Sequence, residues 1–417
     1  MKSLWSTWLA TARRHPRKVV VAEADTGRSW TCAELTAAAE RAANPVWRGR
    51  VVAFSLPNGA DWFIRFLAVQ RAGGIAAPLD PSLAGEPLVR ATQSLSALRV
   101  RPNVCCLKLT SGTTGELQPI ACTAAHLLAD GRHVTRTMGI RATDRNLAVI
   151  PLGHSYGLGN LVLPLLMHAT PVVCTQSLLP RHLLQLIDIH RITVLPIVPA
   201  VLRALAQTEG VAKPDPLRLV ISAGAPLSTE VAQQFFRRFG LKIHNFYGAS
   251  ETGGICYDRT GTATLSGRSV GKPLHGVTVR IRKDSRIAVS SPAGRATLPD
   301  LGGWNRYGEL RLLGRVGQIA NIGGKKVFPA EVELCLRNVA GVTDAWVCVR
   351  QDRRGNDYLA VAVETARPQD ELERELARHL PAWKLPRQYL LRPSLPRTGR
   401  GKLDTAALRK LQPATQN

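Results

Sequence analysis

The sequence predicts an α/β fold with a large, layered N-terminal domain and a small α+β C-terminal domain. Three observations lead to this prediction. Apolar runs alternate with helical patterns from about residue 50 to 250, short strands and turns follow from about 276 to 313, and a compact unit of strands and helices ends the chain. We place the boundary at Gly314 to Gln318, which gives domains of residues 1–314 and 315–417.

The apolar runs of the first region have the length of buried strands. Strands are predicted over residues 51–56, 146–150, 193–197 and 218–222. A helix is predicted from Asp61 to Ala72, where two glycines end it, and Ser228 is placed to cap the helix that ends near Gly240. This order of strand, loop and helix is typical of helices packed on largely parallel strands.

The pattern changes in the last two regions. Strands are predicted there over residues 277–281, 309–313, 345–350 and 358–363, and helices over residues 331–339 and 371–380. The first two strands form a small all-β element that ends the N-terminal domain. The remaining strands and helices form the α+β C-terminal domain.

Composition limits the class of protein. Of the 417 residues, 45% are hydrophobic and 20% are charged, which is ordinary for a folded soluble protein. No apolar run reaches the length of a membrane span, and the N-terminus lacks a signal-peptide core, so we expect a cytoplasmic protein. The eight cysteines show no C-x-x-C spacing and are interpreted as small apolar residues in a reducing compartment.

The net charge of +25 indicates attraction to anions. A solvated, arginine-rich surface is the simplest interpretation, and attraction to anionic ligands or to an acidic partner protein is the alternative. Arginine and lysine are spread along the whole chain, and no zinc finger, helix-turn-helix signature or aromatic stacking motif accompanies them. The sequence therefore predicts no nucleic-acid partner.

A first motif follows the strand-like run Val104–Leu109. Its glycines let backbone N–H groups turn towards an anion and its hydroxyls add donors, a composition suited to phosphate. The spacing differs from that of a Walker loop. An ordinary polar loop is the alternative for this segment alone. The candidate phosphate-binding residues are Thr110, Ser111, Gly112, Thr113, Thr114 and Gly115.

A second motif, Asn245 to Gly254, places an aromatic ring, hydroxyls and a carboxylate within six residues. Tyr247 is suited to stack on a base, Thr252 to donate a hydrogen bond to a phosphate, and Glu251 to hold Mg²⁺. An ordinary strand-to-turn segment is the alternative.

Two further motifs lie towards the C-terminus. The third comprises Asp300-Leu-Gly, residues 314–319 and residues 323–333, and the fourth is residues 395–403. A lysine in a glycine-rich turn, such as Lys402, can reach a carboxylate or phosphate as a mobile point charge. Each segment by itself is also compatible with a solvated loop.

In this order the four motifs resemble the adenylate-forming (AMP-binding) superfamily, which includes acyl- and aryl-CoA synthetases, peptide-synthetase adenylation domains and firefly luciferase. The resemblance covers about residues 30 to 404. It implies a large N-terminal domain and a small C-terminal domain that rotates between two states. One state presents Lys402 as the catalytic lysine, and the other presents Gly323 and Gly324 beside the incoming thiol, with Gly317 as the hinge.

The resemblance also implies roles for residues of the N-terminal domain. Thr110 to Gly115 look like the family's phosphate loop, and Tyr247 to Thr252, with Gly248, like its Tyr-Gly-x-x-Glu motif. Asp300 and Arg315, 15 residues apart, match the ribose-binding aspartate and the arginine that follows it.

Two further segments can be assigned in the same way. The loop with Gly224, Ala225 and Pro226 matches the segment that passes the adenine and the acyl group. His154 matches a position beside the acyl carboxylate, with a structural core histidine as the alternative.

The sequence departs from the family pattern at three places. Gln118 stands where the family has a lysine that assists the pyrophosphate, and the hinge is Gly317 where the family usually has aspartate or lysine. Glycine keeps the backbone freedom that a hinge requires. The N-terminal domain is also shortened, mostly between Pro81 and Cys105.

The resemblance implies an ATP-dependent acid–thiol ligase, which activates a small carboxylic acid as acyl-AMP with Mg²⁺ and transfers it to coenzyme A. A stand-alone ligase that loads the phosphopantetheine of an acyl-carrier protein is the first alternative. A degenerate, non-catalytic AMP-binding protein is the second, favoured by Gln118 and the shortened domain and opposed by Glu251, Asp300 and Lys402.

Overall fold

The computed structural model describes residues 2–111, 117–209, 214–316, 320–322, 325–352, 354–398 and 403–411. Helices and strands alternate through the first part of the chain. They are α1 (Leu4–Arg14), β1 (Val19–Glu23), β2 (Ser29–Thr31), α2 (Cys32–Ala42), β3 (Val51–Phe54), α3 (Ala60–Ala72), β4 (Ile75–Pro78), α4 (Gly85–Ser96), β5 (Val104–Ser111), β6 (Leu117–Thr123) and α5 (Ala124–Met138).

The alternation continues through the second part of the N-terminal region. Its elements are β7 (Asn146–Ala148), α6 (Ser155–Gly157), a π-helical turn (Leu158–Val162), α7 (Leu163–His168), β8 (Val172–Cys174), α8 (Pro180–Ile189), β9 (Val194–Ile197), α9 (Pro199–Gln207), β10 (Leu219–Ser222), α10 (Thr229–Phe239), β11 (Ile243–Ala249), β12 (Gly253–Tyr257), α11 (Thr262–Leu265) and β13 (Lys272–Pro273).

The last part of the chain begins with strands and ends with a mixed unit. Its elements are β14 (Thr278–Ile281), β15 (Arg286–Ser291), β16 (Gly294–Trp304), β17 (Leu310–Arg315), β18 (Ala320–Ile322), β19 (Lys325–Val327), α12 (Pro329–Arg337), β20 (Val342–Gln351), β21 (Asp357–Thr365), α13 (Gln369–His379), β22 (Gln388–Arg392) and α14 (Thr405–Leu411).

The largest sheet has the strand order β13-β12-β11-β10-β9-β7-β8-β1-β2. Its central strands, from β11 to β1, are parallel, and the edge strands are antiparallel. Every residue of β9 and β10 is buried, as expected for strands covered by helices on both faces. Since the carboxyl ends of parallel strands meet at one edge, the loops after β7, β10 and β11 lie along the same edge of the sheet.

A second sheet, in the order β3-β4-β5-β6, carries the first motif. Strands β5 and β6 form an antiparallel hairpin in which Thr110 pairs with Gln118. The predicted phosphate loop therefore connects two paired strands. Helix α4 lies in the stretch where the shortening is predicted, and Leu95 of this helix is part of a small core with the sheet.

Helix boundaries agree with the predicted end signals. Helix α3 ends at Gly73, whose φ of +73° is the left-handed conformation that glycine adopts without strain. Ser228 caps α10 by accepting a hydrogen bond from the backbone N–H of Val231, and Gly240 ends the helix in the same left-handed conformation.

The short strands β14 to β17 form the predicted all-β element, a four-stranded antiparallel sheet. Its last hairpin places Asp300 directly opposite Arg315. The turn of this hairpin contains Glu309, which is only 7% exposed. Its carboxylate accepts hydrogen bonds from Arg268 Nε at 2.8 Å, from Ser269 Oγ at 2.8 Å and from Asn305 Nδ2 at 3.0 Å.

These hydrogen bonds, above all those from Arg268, lower the pKa of Glu309 from 4.5 to about 2. We expect Glu309→Gln to reduce the apparent free energy of unfolding in urea by about 3 kcal/mol at pH 7, because it removes one partner of a largely buried ion pair. The lowered pKa stabilises the fold above about pH 4.5, and this contribution is lost as the pH falls through 2. The difference between wild type and variant should therefore shrink in acid.

Asp284→Asn is the control for this measurement, because its pair with Arg286 in the same sheet is exposed. It should leave the free energy of unfolding almost unchanged. A Glu309→Gln effect that stays constant from pH 7 to pH 2 would contradict the assignment.

The residues beyond β17 form a separate hydrophobic core. Strands β20, β21 and β22 form a three-stranded sheet, and α12 and α13 pack on it around residues such as Val332, Leu336 and Leu372. The main core extends from Leu4 to Leu310. The predicted fold class, with a large N-terminal and a small C-terminal domain, is thus confirmed, whereas the boundary between residues 314 and 315 stays a prediction.

The two cores touch through polar contacts as well. Arg203 of α9 donates a hydrogen bond to the carbonyl of Thr343, and its guanidinium lies 3.6 Å from Glu364 Oε1. None of the helices in the described ranges has the length and apolar character needed to cross a membrane.

Candidate active site

The loops at the carboxyl edge of the large sheet carry most of the predicted residues. His154 follows β7, Gly224 follows β10, and Glu251 follows β11. A hydrogen bond of 2.7 Å between the hydroxyls of Ser155 and Ser250 joins the first and the third of these loops. The fold therefore brings the second motif next to His154, which lies about a hundred residues earlier in the chain.

Asp300 links the second and third motifs. Tyr247 donates its phenolic hydrogen to Asp300 Oδ2 at 2.8 Å, and Arg315 Nε lies 2.6 Å from Asp300 Oδ1. Burial, and then the negative charge of Asp300, raise the pKa of Tyr247 well above its usual value, so the hydroxyl remains a donor. Three predicted residues thus form one hydrogen-bonded group at the end of β11.

Glycines shape the backbone around Tyr247. The pairing of β11 with β12 is irregular between Tyr247 and Gly248, and a Cβ atom on Gly248 would lie 3.0 Å from the carbonyl oxygen of Gly253. Glycine at this position therefore allows the two strands to approach closely. In the neighbouring loop Gly224 has a φ of +87°, and it is exposed together with Ala225 and Pro226.

His154 caps the short helix α6. Its Nδ1 accepts a hydrogen bond from the backbone N–H of Tyr156 at 3.2 Å, which fixes the orientation of the half-buried ring. We expected Tyr156 to line the substrate pocket, but the structure buries it. Its hydroxyl donates to the carbonyl of Ile221 at 2.8 Å and accepts from the N–H of Ile197 at 3.2 Å, so it connects β9 and β10.

Thr252 is not placed as its predicted role requires. The residue is 1% exposed, and its hydroxyl is enclosed without a hydrogen-bond partner among the described residues. The cause is a tight turn, in which the N–H of Thr252 donates to the carbonyl of Ala249 and directs the side chain inwards. Ser250, directly before Glu251, lines a cavity instead. We therefore replace Thr252 with Ser250 as the candidate phosphate donor, a hydroxyl that the motif pattern did not single out.

This cavity has a volume of about 150 Å³. Glu251 and Arg295 lie at its exposed end, and Lys108 and Asp130 lie at its buried end. Sequence reasoning missed both buried residues. The available signal was a lysine inside the otherwise apolar run 104–109.

Several predicted residues lie outside the described part of the chain. Thr110 ends the described hairpin, with its hydroxyl 3.4 Å from the carbonyl oxygen of Gln118, and the Gln118 side chain is exposed. Ser111 is the last residue of β5. The predicted residues outside the described ranges are Gly112, Thr113, Thr114, Gly115, Gly317, Gly323, Gly324 and Lys402.

A magnesium ion fits the surroundings of Glu251 in one way only. Within the described ranges, no group of three histidine, cysteine, aspartate or glutamate side chains is arranged to hold a metal. Mg²⁺ is commonly held by one or two carboxylates together with substrate phosphates and water. The exposed Glu251 carboxylate suits this second arrangement.

Comparisons with curated proteins find ligases. The chain is 26% identical over 331 residues to 3-[(3aS,4S,7aS)-7a-methyl-1,5-dioxo-octahydro-1H-inden-4-yl]propanoyl:CoA ligase of Mycobacterium tuberculosis, with 72% of this chain and 65% of that protein covered. It is 28% identical over 344 residues to 4-hydroxybenzoate–CoA/benzoate–CoA ligase of Rhodopseudomonas palustris, with 72% and 63% covered. The chain therefore spans slightly less than two thirds of the length of these relatives.

A much longer protein also matches. A linear gramicidin synthase of Brevibacillus parabrevis is 26% identical over 449 residues, which cover 86% of this chain and 6% of that protein. The match therefore extends over more of this chain than the matches to the two ligases do.

Solved structures share the fold. ATP-bound MatB from Rhodopseudomonas palustris superposes with a TM-score of 0.84 at 21% identity, and 98% of each chain is covered. The o-succinylbenzoate CoA synthetase of Bacillus subtilis, in complex with its acyl-adenylate intermediate, gives a TM-score of 0.85 at 22% identity, with 100% of this chain and 99% of that chain covered.

Family models match most of the chain. The AMP-binding enzyme family matches residues 8–100 and 97–293, and the AMP-binding enzyme C-terminal domain matches residues 331–402. The first match is divided at residues 97–100, inside the stretch where the shortening is predicted. With the four motifs, the fold and these matches in agreement, the chain belongs to the AMP-binding enzyme family.

Proposed function

We propose that this chain is an ATP-dependent acid–thiol ligase, which activates a carboxylic acid as acyl-AMP and transfers the acyl group to coenzyme A. The observation that carries the proposal is the hydrogen-bonded group of Tyr247, Asp300 and Arg315 at the sheet edge. In a member of the AMP-binding family, this group has the composition needed to hold an adenosine. By their printed names, two of the relatives described above are CoA ligases.

The adenosine would be held by both sides of this group. The Asp300 carboxylate accepts hydrogen bonds from the ribose hydroxyls, while Tyr247 and Arg315 keep it oriented. The ring of Tyr247 packs against the adenine, and the exposed loop with Gly224, Ala225 and Pro226 passes beside it.

The phosphates would lie between the hairpin tip of residues 110–115 and the turn with Ser250 and Glu251. Backbone N–H groups and hydroxyls of the tip bind the β- and γ-phosphates. When bound, Mg²⁺ neutralises phosphate charge, and Glu251 is the residue that would hold it. His154 and Ser250 orient the acid carboxylate, whose attack on the α-phosphate requires no nucleophile from the protein.

Catalysis would then consist of positioning and electrostatic stabilisation. Lys402 supplies the positive charge between the carboxylate and the α-phosphate. A rotation about Gly317, within the C-terminal domain of residues 315–417, would exchange Lys402 for Gly323 and Gly324 at the thiol entrance.

The acceptor thiol has two candidates. Coenzyme A is favoured by the names of the CoA ligases among the relatives. The phosphopantetheine of an acyl-carrier protein is the second candidate, since the gramicidin synthase match covers more of this chain and the net charge of +25 would attract an acidic carrier. Either acceptor would place the enzyme in the cytoplasm.

A screen of pyrophosphate release tests the proposal. Aryl, short, medium and long acids are supplied with ATP and Mg²⁺, each with and without coenzyme A or a phosphopantetheinylated carrier. We expect acid-dependent release that becomes catalytic in the presence of one thiol. AMP binding without pyrophosphate release for any acid would instead support a non-catalytic binding protein.

Glu251→Gln should raise the Mg²⁺ concentration needed for half-maximal adenylation about tenfold, because a hard cation loses its only charged protein ligand near the phosphates. The measurement is a Mg²⁺ titration of single-turnover adenylate formation. Glu40→Gln, an exposed site on α2, is the matched control and should leave the curve unchanged. Superimposable curves for Glu251→Gln and wild type would remove Glu251 from the metal site.

A further inference from the structure

The cavity beside Glu251 has a charged floor that the proposed function does not use. Lys108 and Asp130 are each 3% exposed, and Lys108 Nζ lies 3.9 Å from Asp130 Oδ2. Buried ions are expensive unless tight contacts compensate them, and this distance exceeds that of a hydrogen bond. In the described part of the chain the Lys108 ammonium forms no hydrogen bond, so its donors are available to the cavity that Lys108 lines.

The carboxylate of Asp130 is held in place by the backbone after Glu251. Its Oδ1 accepts a hydrogen bond of 2.8 Å from the N–H of Gly254. Gly253 has a φ of +74°, and a Cβ atom there would lie 2.3 Å from the Asp130 carboxylate, so only glycine allows this approach. One oxygen of Asp130 is thereby fixed, and the other is directed towards Lys108.

The cavity leads from the proposed reaction centre to this pair. Its exposed end is formed by Glu251 and Arg295, and Ser250 in its wall bonds to Ser155, the neighbour of His154. An acid whose carboxylate lies near His154 would therefore extend its far end towards Lys108 and Asp130. The volume of about 150 Å³ matches a cavity that holds a benzene-sized molecule.

We propose that the acid activated by this chain is short and carries a hydroxyl group at its far end, bound between Lys108 and Asp130. This inference rests on the proposed ligase function. An ammonium donates and a carboxylate accepts, and a hydroxyl is the small group that satisfies both at once. A methyl group would leave both charges without a partner, and a second carboxylate would face the negative charge of Asp130.

Matched pairs of acids test the inference. We would compare 4-hydroxybenzoate with benzoate, and 5-hydroxypentanoate with pentanoate, by kcat/KM for pyrophosphate release at saturating ATP. The wild type should prefer one hydroxyl-bearing member by about 100-fold or more, because a site built to bind a hydroxyl strongly rejects the analogue without it. The two pairs distinguish an aromatic from an aliphatic substrate.

The double variant Lys108→Met/Asp130→Asn removes both charges while nearly keeping the side-chain volumes. It should lose most of the preference through a higher KM for the hydroxy acid, and the dissociation constant for ATP, measured by calorimetry, should stay unchanged. An intact preference with weaker ATP binding would overturn the inference, because Lys108 would then serve the phosphates in place of the lysine absent at Gln118.

Measurements on the wild type decide the inference even if the double variant does not fold. Equal kcat/KM for both members of each pair would overturn it. If no acid supports pyrophosphate release, the proposed ligase function fails, and calorimetric binding of the same acids in the presence of AMP takes over. Tighter binding of a hydroxy acid would still support the site at Lys108, and equal binding of both members would reject it.

Discussion

Replacing Lys402 with alanine is expected to slow adenylate formation about 100- to 1,000-fold, while thioester formation from supplied acyl-AMP stays nearly unchanged. The lysine lies in a glycine-rich turn of the small C-terminal domain, and we place its charge where the carboxylate attacks the α-phosphate. Thiol attack on a finished adenylate needs no charge at that position, so only the first half-reaction should suffer.

Single-turnover measurements of both half-reactions, each started separately, check this expectation. Lys410→Ala is a suitable control, since it removes an exposed lysine from α14, a few residues beyond Lys402. It should leave both rates at the wild-type value. An equal loss in the two half-reactions of Lys402→Ala would reject a specific role in adenylation.

Asp300→Ala should weaken the binding of ATP and AMP about 100-fold. The substitution removes the proposed acceptor for the ribose hydroxyls and leaves the Tyr247 hydroxyl and the Arg315 guanidinium without their carboxylate partner. Loss of one member of a hydrogen-bonded charge pair in a binding site typically costs 2–5 kcal/mol, or about 30-fold and more in affinity.

Calorimetric titration with AMP measures this effect without any dependence on the acid. Tyr247→Phe separates the two contributions, because it keeps the ring for the adenine and loses only the hydrogen bond to Asp300. We expect a loss of about tenfold or less for this variant. Asp284→Ala, in an exposed pair of the same sheet, should bind like wild type, and wild-type affinity in Asp300→Ala would refute the adenosine site.

The sequence by itself determined the fold class and most element positions. Alternating apolar runs predicted the strands β7, β9 and β10, and Ser228 and Gly240 marked the two ends of α10. These signals are local, since a strand or a helix end depends on the residues within a few positions of it. The pair of Asp300 and Arg315 was predictable for the same reason, because one hairpin brings them together.

The contacts between distant segments were decided only by the tertiary structure. Asp300 meets Tyr247, which is 53 residues away in the chain, and Thr252 turns inwards so that Ser250 faces the cavity. Hydrophobic periodicity indicates which residues are buried, but it does not indicate which side chain lies opposite a given one.

Lys108 shows this limit most clearly. The apolar run around it predicted β5 correctly, yet nothing in the local sequence indicated that its charge would face Asp130 of α5 across a cavity. A buried charge is compatible with the fold only where packing brings a complementary group to it. Such a group is supplied by another layer of the molecule, so its identity depends on how the layers pack and not on the sequence near the lysine.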